Sequence, residues 1–184
     1  MSAYNYILDK DRFVVVADNL QEEGFKLLSE GKIKEFNTWR MNNLTVKLNY
    51  SRRDFSGKSI AGAFLNGVEA VNANFSNANL SGANFVQANL NGANFENADL
   101  GEALLMHAEL REARMNGANL TKTNMMKADL RNADLSGCRM NQTILVEADL
   151  QNAKTLGVSR DGAYLKYAKL DHTSWFEESS NKHH

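Results

Sequence analysis

The chain has 184 residues, with 21 Lys and Arg against 22 Asp and Glu, and no proline. That near-zero balance gives no electrostatic steering toward nucleic acid or anionic lipid. A single cysteine, Cys138, excludes an intramolecular disulfide and cannot build a metal site by itself.

The first fifty residues do not repeat. Phe13 to Ala17 is the longest early apolar run and is too short for a signal-peptide core or a membrane span. A soluble, cytoplasmic protein is therefore expected. Three consecutive valines within Arg12 to Ala17 predict a short strand. Asp18 or Asn19 can cap a following helix, with Gln21 or Glu22 as reciprocal partner. Leu20, Leu27 and Leu28 share a face up to a break at Gly31. A second helix fits Lys32 to Asn42, where Ile33, Phe36 and Trp39 recur at threes. Leu44, Val46 and Leu48 alternate, which predicts a lead-in strand.

From about residue 51 a five-residue period takes over. Asn72 to Leu100 reads NANFSNANLSGANFVQANLNGANFENADL: a small residue, Asn or Asp, then Leu or Phe, and two that vary. Neither 3.6 nor 2.0 divides that period, so neither a plain helix nor a plain strand fits. Between Phe55 and Trp175, 22 of 25 central positions hold a large apolar residue, and 17 of the 25 positions two before are Ala. Two inward residues separated by one outward residue are locally strand-like, so the remaining two must turn the chain. Gly57, Gly62, Gly67, Gly82, Gly92, Gly117 and Gly137 occupy the last position, where a corner needs permissive backbone angles. The intervening Asn or Asp can bond nearby backbone, which suits tight bends.

The motif resembles that of the pentapeptide-repeat family, A-(D/N)-(L/F)-x-x. The resemblance implies an all-β solenoid: a right-handed, quadrilateral parallel β-helix with four pentapeptides per coil. The run LLSEGKIKEFNTWR is similar to a segment that often precedes the repeats in bacterial, notably cyanobacterial, members. Phe55, Phe75 and Phe95 are 20 apart and would stack on one side. Six coils then run over about 53–72, 73–92, 93–112, 113–132, 133–152 and 153–172. The expected division is a small, mainly helical cap over 1–50, a β-helix over 51–175 and a tail over 176–184. Phe36 and Trp39 are expected to cover the first coil, because an open end of a repeat stack invites edge-to-edge association. Thr155 and Arg160 break the central pattern, so Lys154 to Gly162 is expected to be a distorted or looped-out coil.

Chemistry is sparse. His107, His172, His183 and His184 are scattered, none with a ligand partner at metal-site spacing. Cys138 sits at the small inward position and reads as a buried, inert thiol. Gly57 to Gly62 has phosphate-loop spacing, but Ala63 stands where the lysine would be. No enzyme, cofactor, metal, membrane or small-molecule substrate is expected.

Folding the chain at 20 residues per coil separates one side from the rest. Outward positions of the side centred on Leu65, Phe85, Leu105, Met125, Leu145 and Leu165 hold Phe64, Val86, Leu104, Met106, Met126, Ile144, Val146 and Tyr164. Each other side has one apolar residue there: Leu156, Ala61 or Val71. Such a stripe spans ~24 Å along the stack, and contiguous apolar surface of this size marks an interaction site. Either it is an intermolecular interface, most simply of a homodimer, or Tyr4, Tyr6, Ile7, Leu8 and Phe13 to Val16 fold back over it.

The leading expectation is a non-catalytic scaffold or protein-interaction module. Some members of the family mimic DNA and inhibit a type II topoisomerase, so the resemblance implies a second reading. Mimicry needs a dense negative field, whereas residues 53–172 hold 13 acidic and 12 basic residues.

Overall fold

The computed structural model describes residues 10–159 and 161–175, with side chains of the first helix described from Asn19 onward. Two helices come first, α1 (Lys10–Ser29) and α2 (Ile33–Asn42). They are followed by short parallel pairings spaced 20 residues apart, from Asn49 with Glu69 to Asp149 with Lys169. The described residues from Asn49 to Lys169 thus form a four-sided solenoid, each side stacking one pentapeptide of every turn. The sides are named below by their central residues Phe55, Ile60, Leu65 and Ala70.

The pentapeptide explains the corner. The carbonyl of each central residue accepts the N–H of the third residue on, as in Ala83 to Leu80 at 2.9 Å and Ala98 to Phe95 at 3.0 Å. The residue two past the centre takes positive φ, for example 70° at Gly62 and 59° at Gln87. A turn with positive φ at its third residue is of type II and favours glycine. Many non-glycine residues hold the same angle, among them His107 and Lys127. Ladder bonds to the next coil hold them there: the N–H of His107 donates to Met126 O at 3.0 Å and that of Lys127 to Val146 O at 3.0 Å. Asn and Asp tighten the bend, with Oδ1 accepting the N–H two residues on, as at Asn84 to Val86 (3.0 Å) and Asp99 to Gly101 (3.0 Å).

Inside, Ala and the central residues form one continuous core. Phe55, Phe75 and Phe95 stack with centroids 5.0 Å apart and planes within 6°. Phe85 meets two of these rings edge-on. Phe25 of α1 extends the aromatic column, 5.2 Å from Phe55 and 6.0 Å from Tyr50. Leu28, Phe36 and Trp39 are buried in the same cluster. Polar contacts tie the helices on: Gln21 Oε1 accepts the N–H of Asn49 at 2.9 Å, and Asn37 bonds both Gly62 O and the Phe64 N–H at 2.9 Å.

Several local expectations are corrected. Residues 12–17 lie within α1, so the valines are helical rather than a strand. Propensity differences are under about 1 kcal/mol per residue, and the apolar face of Leu20 to Leu28 carries the helix through them. Asp18 and Asn19 therefore fall inside α1 and do not cap it. The break at Gly31 is as expected: at φ 71° it closes α1, with its N–H on Leu28 O and that of Lys32 on Leu27 O. Leu44 is not in a strand; it sits in a turn and is 60% exposed. Pairing begins at Asn49, and Tyr50 is already a buried central residue, so the repeat starts before residue 51.

Of the distorted or looped-out coil expected over Lys154 to Gly162, the structure shows distortion: among the described residues Ser159 lacks the pairing that Arg139 makes one coil earlier. Lys154 pairs with Asp134 and Tyr164 with Ile144, so the 20-residue spacing carries across it. Thr155 is tolerated at a core position because its hydroxyl shares a hydrogen bond with Ser174 Oγ at 2.6 Å, and Val158 is buried. Arg160 and the tail 176–184 lie outside the described residues.

Candidate interaction face

Three sides of the solenoid are polar ladders. On the Ala70 side Glu69, Asn89, Glu109, Asp129, Asp149 and Lys169 stack as successive outward residues. Asn89 Nδ2 donates to Glu69 at 2.9 Å and Lys169 Nζ to Asp149 at 3.2 Å. Arg131 and Arg111 both bond Asp129, holding its carboxyl well below the usual range, at about 2. The Phe55 side carries Asp54, Asn74 and Asn94, each amide donating to the residue one coil before. On the Ile60 side Asn119 does the same to Asp99 at 2.7 Å.

The Leu65 side differs. Phe64, Leu104 and Tyr164 are exposed there, at 39%, 36% and 56%. Val86, Met106, Met126, Ile144 and Val146 are half-buried and stand outside the core. All eight sequence-predicted residues are thereby brought to one side, in pairing register through Phe64, Asn84, Leu104, Asn124, Ile144 and Tyr164. Asn84 and Asn124 turn inward on their own corners, their Oδ1 atoms accepting the N–H groups of Val86 and Met126 at 3.0 and 3.1 Å. The segment weighed as intramolecular cover, Tyr4, Tyr6, Ile7, Leu8 and the side chains of Phe13 to Val16, lies outside the described residues.

The borders of the stripe are charged, which the position-by-position reading passed over. Lys122 Nζ is 3.3 Å from Glu102 on the corner leading into this side, and Lys127 Nζ is 3.5 Å from Glu147 on the corner leaving it. Their signal was available, since Glu102 and Lys122 are 20 apart and so are Lys127 and Glu147.

His107 is exposed at a corner. Cys138 is buried, its Sγ donating to Met115 O at 2.9 Å, and burial pushes the thiol up to about 12. A thiol so raised is not a nucleophile at neutral pH. Among the described residues no group of three or more His, Cys, Asp or Glu could hold a metal ion. No described helix is long and apolar enough to cross a membrane.

The pentapeptide-repeat model matches in eight copies, over residues 54–92, 71–105, 88–125, 103–142 and 123–154. Among solved structures, a pentapeptide repeat protein of the Arabidopsis thaliana thylakoid lumen is 32% identical, with 57% of this chain covered and a TM-score of 0.44. This chain spans 66% of that protein's length. Rfr23 of the cyanobacterium Cyanothece 51142 is 24% identical over 74% of this chain and 95% of that one, with a TM-score of 0.32. The plasmid-mediated fluoroquinolone resistance protein QnrB1 is 20% identical over 68% of this chain and 73% of that one, with a TM-score of 0.39. No curated protein matches the chain.

Proposed function

This chain belongs to the pentapeptide-repeat family, whose fold is the right-handed quadrilateral β-helix, and we propose that it is a non-catalytic interaction module that self-associates through its Leu65 side. In this reading about six coils form a rigid rod in the cytoplasm, the helical region over 1–50 closes the first coil, and the walls present side chains at fixed spacing. One observation carries the proposal: large apolar residues gather on one side of four, where the other three carry hydrogen-bonded polar ladders. Met106 and Met126 lie one coil apart near the middle of that side, and methionine adapts its shape to a contacting surface. Covering the stripe removes apolar area from water at roughly 25 cal/mol per Å².

Met106→Glu together with Met126→Glu tests the reading. Both side chains stand outside the core, so the far-ultraviolet circular dichroism spectrum should match wild type. Buried in a contact, the two carboxylates would be expensive to desolvate. Sedimentation velocity at high micromolar concentration should show a dimer for wild type and a monomer for the variant. A wild type that is monomeric there overturns self-association.

A further inference from the structure

We infer that the second copy docks with its solenoid axis antiparallel to the first, about a two-fold axis crossing the Leu65 side between Met106 and Met126. The inference rests on the self-association proposed above and adds the register. A two-fold contact is isologous: when residue i meets the partner's j, residue j meets the partner's i. The surface must therefore be complementary to its own rotated image, and only some rotations satisfy that here.

The column immediately after the central residues reads Val86, Met106, Met126 and Val146 in successive coils. It is the same in both directions. Rotation about an axis lying along the strands reverses the stack but keeps the column in place. Met106 then meets the partner's Met126, and Val86 meets the partner's Val146. Along the mid-strand column the same rotation brings Phe64 to the partner's Tyr164, an exposed aromatic to an exposed aromatic, and sets Leu104 and Ile144 beside the partner's Asn124 and Asn84.

Charge on the Glu102 border fits the same arrangement. Glu102 and Lys122 occupy successive coils on one corner. Reversal about the midpoint places each beside its opposite, Glu102 against the partner's Lys122 and Lys122 against the partner's Glu102. The other two-fold solution has the axis along the solenoid and matches coil to coil. It reverses the strand direction, so within each coil Met106 would lie over the partner's Glu102 and Met126 over the partner's Lys122. Desolvating a charge beneath an apolar side chain is costly, and the antiparallel solution avoids it.

Chemical cross-linking reads the register directly. In a Cys138→Ala background, Val86→Cys and Val146→Cys chains are prepared separately, mixed, and treated with a short bismaleimide matched to the ~10 Å spacing of facing sheets. The mixture should give a covalent dimer. Each variant alone should not, because Val86 of one copy lies three coils, or ~14 Å, along the stack from the partner's Val86. Cross-linking of Val86→Cys with itself overturns the antiparallel register, as does failure of the mixture under conditions where sedimentation shows a dimer. In both cases self-association stands. A monomer by sedimentation removes the reading on which the register rests, and the register with it.

Discussion

Phe75 is the residue whose loss should be felt most in the solenoid core. Its ring is sandwiched between Phe55 and Phe95, both 5.0 Å away and nearly parallel to it, and meets Phe85 edge-on at 5.8 Å. Phe75→Ala removes the whole ring, and such substitutions cost ~3–5 kcal/mol. The upper part of that range applies, because the space cannot collapse. The Phe75 N–H bonds Asn94 O at 2.7 Å and the Asn74 N–H bonds Arg53 O at 2.9 Å, which fixes both neighbouring coils at ladder spacing. Phe75→Leu keeps most of the volume but loses three aromatic contacts worth ~0.5–1.5 kcal/mol each, so about 1.5–4.5 kcal/mol is the most it should cost. For a chain of this size each kcal/mol lowers the melting temperature by ~2–4 °C. Thermal unfolding followed by circular dichroism should therefore rank wild type, then Phe75→Leu, then Phe75→Ala, with Ser59→Ala on the exposed wall as control. A Phe75→Ala midpoint within error of the Ser59→Ala midpoint would refute both the stack and the register of the repeats.

Two further outcomes follow from the helix junction and the polar wall. A Cβ on Gly24 would lie 2.6 Å from Tyr50 Oη and 2.8 Å from the Trp39 ring. Gly24→Ala should thus destabilise the protein and promote association through the exposed first coil, although alanine is favoured over glycine by about 1 kcal/mol inside a helix; a more stable, monodisperse Gly24→Ala would contradict the packing of α1 on Tyr50. Asp129 is held at about 2, first by the hydrogen bond from Arg131 and then by that from Arg111. A lowered folded pKa means stability that is complete above the unfolded value near ~3.9 and lost as pH falls toward 2. Melting temperatures of wild type and Asp129→Asn should accordingly differ at pH 7 and converge between pH 4 and 2, and a constant difference across that window would show that Asp129 contributes nothing through its charge.

The solenoid was legible because its signal is redundant. Every fifth residue repeats the in-or-out decision, and the aromatic column at Phe55, Phe75 and Phe95 exposes the 20-residue turn that the pairings display. The N-terminal region has no such redundancy. The valines near Phe13 were read from a local preference weaker than the helix they join, and the alternation at Leu44 to Leu48 hid a turn. Thr155 looked like a break because a polar residue at a core position was judged without its partner, Ser174, which lies nineteen residues on and one coil above. Sequence patterns report burial well and report satisfaction of buried polar groups poorly, since the satisfying atom is set by the stack rather than by the neighbours in sequence.

The same distinction locates where a function can be written on such a molecule. Inward positions are filled by Ala and by Leu, Phe or Met wherever the repeat is regular, so they specify the rod and nothing about what it meets. Outward columns are free to vary, yet on three sides the variation is used up within the chain. Asn94 donates to Asn74, Asn119 to Asp99, and Lys169 to Asp149, each one coil away. A polar column can be completed by its own neighbours because hydrogen bonds and ion pairs run along the stack. Met106, Met126, Val86 and Val146 have no equivalent completion: apolar side chains stacked on a flat wall shield each other only at their edges and leave their tops in water. Under the proposed self-association this is the side that a second surface finishes, and a column symmetric about its own midpoint is what a second copy of the same surface requires.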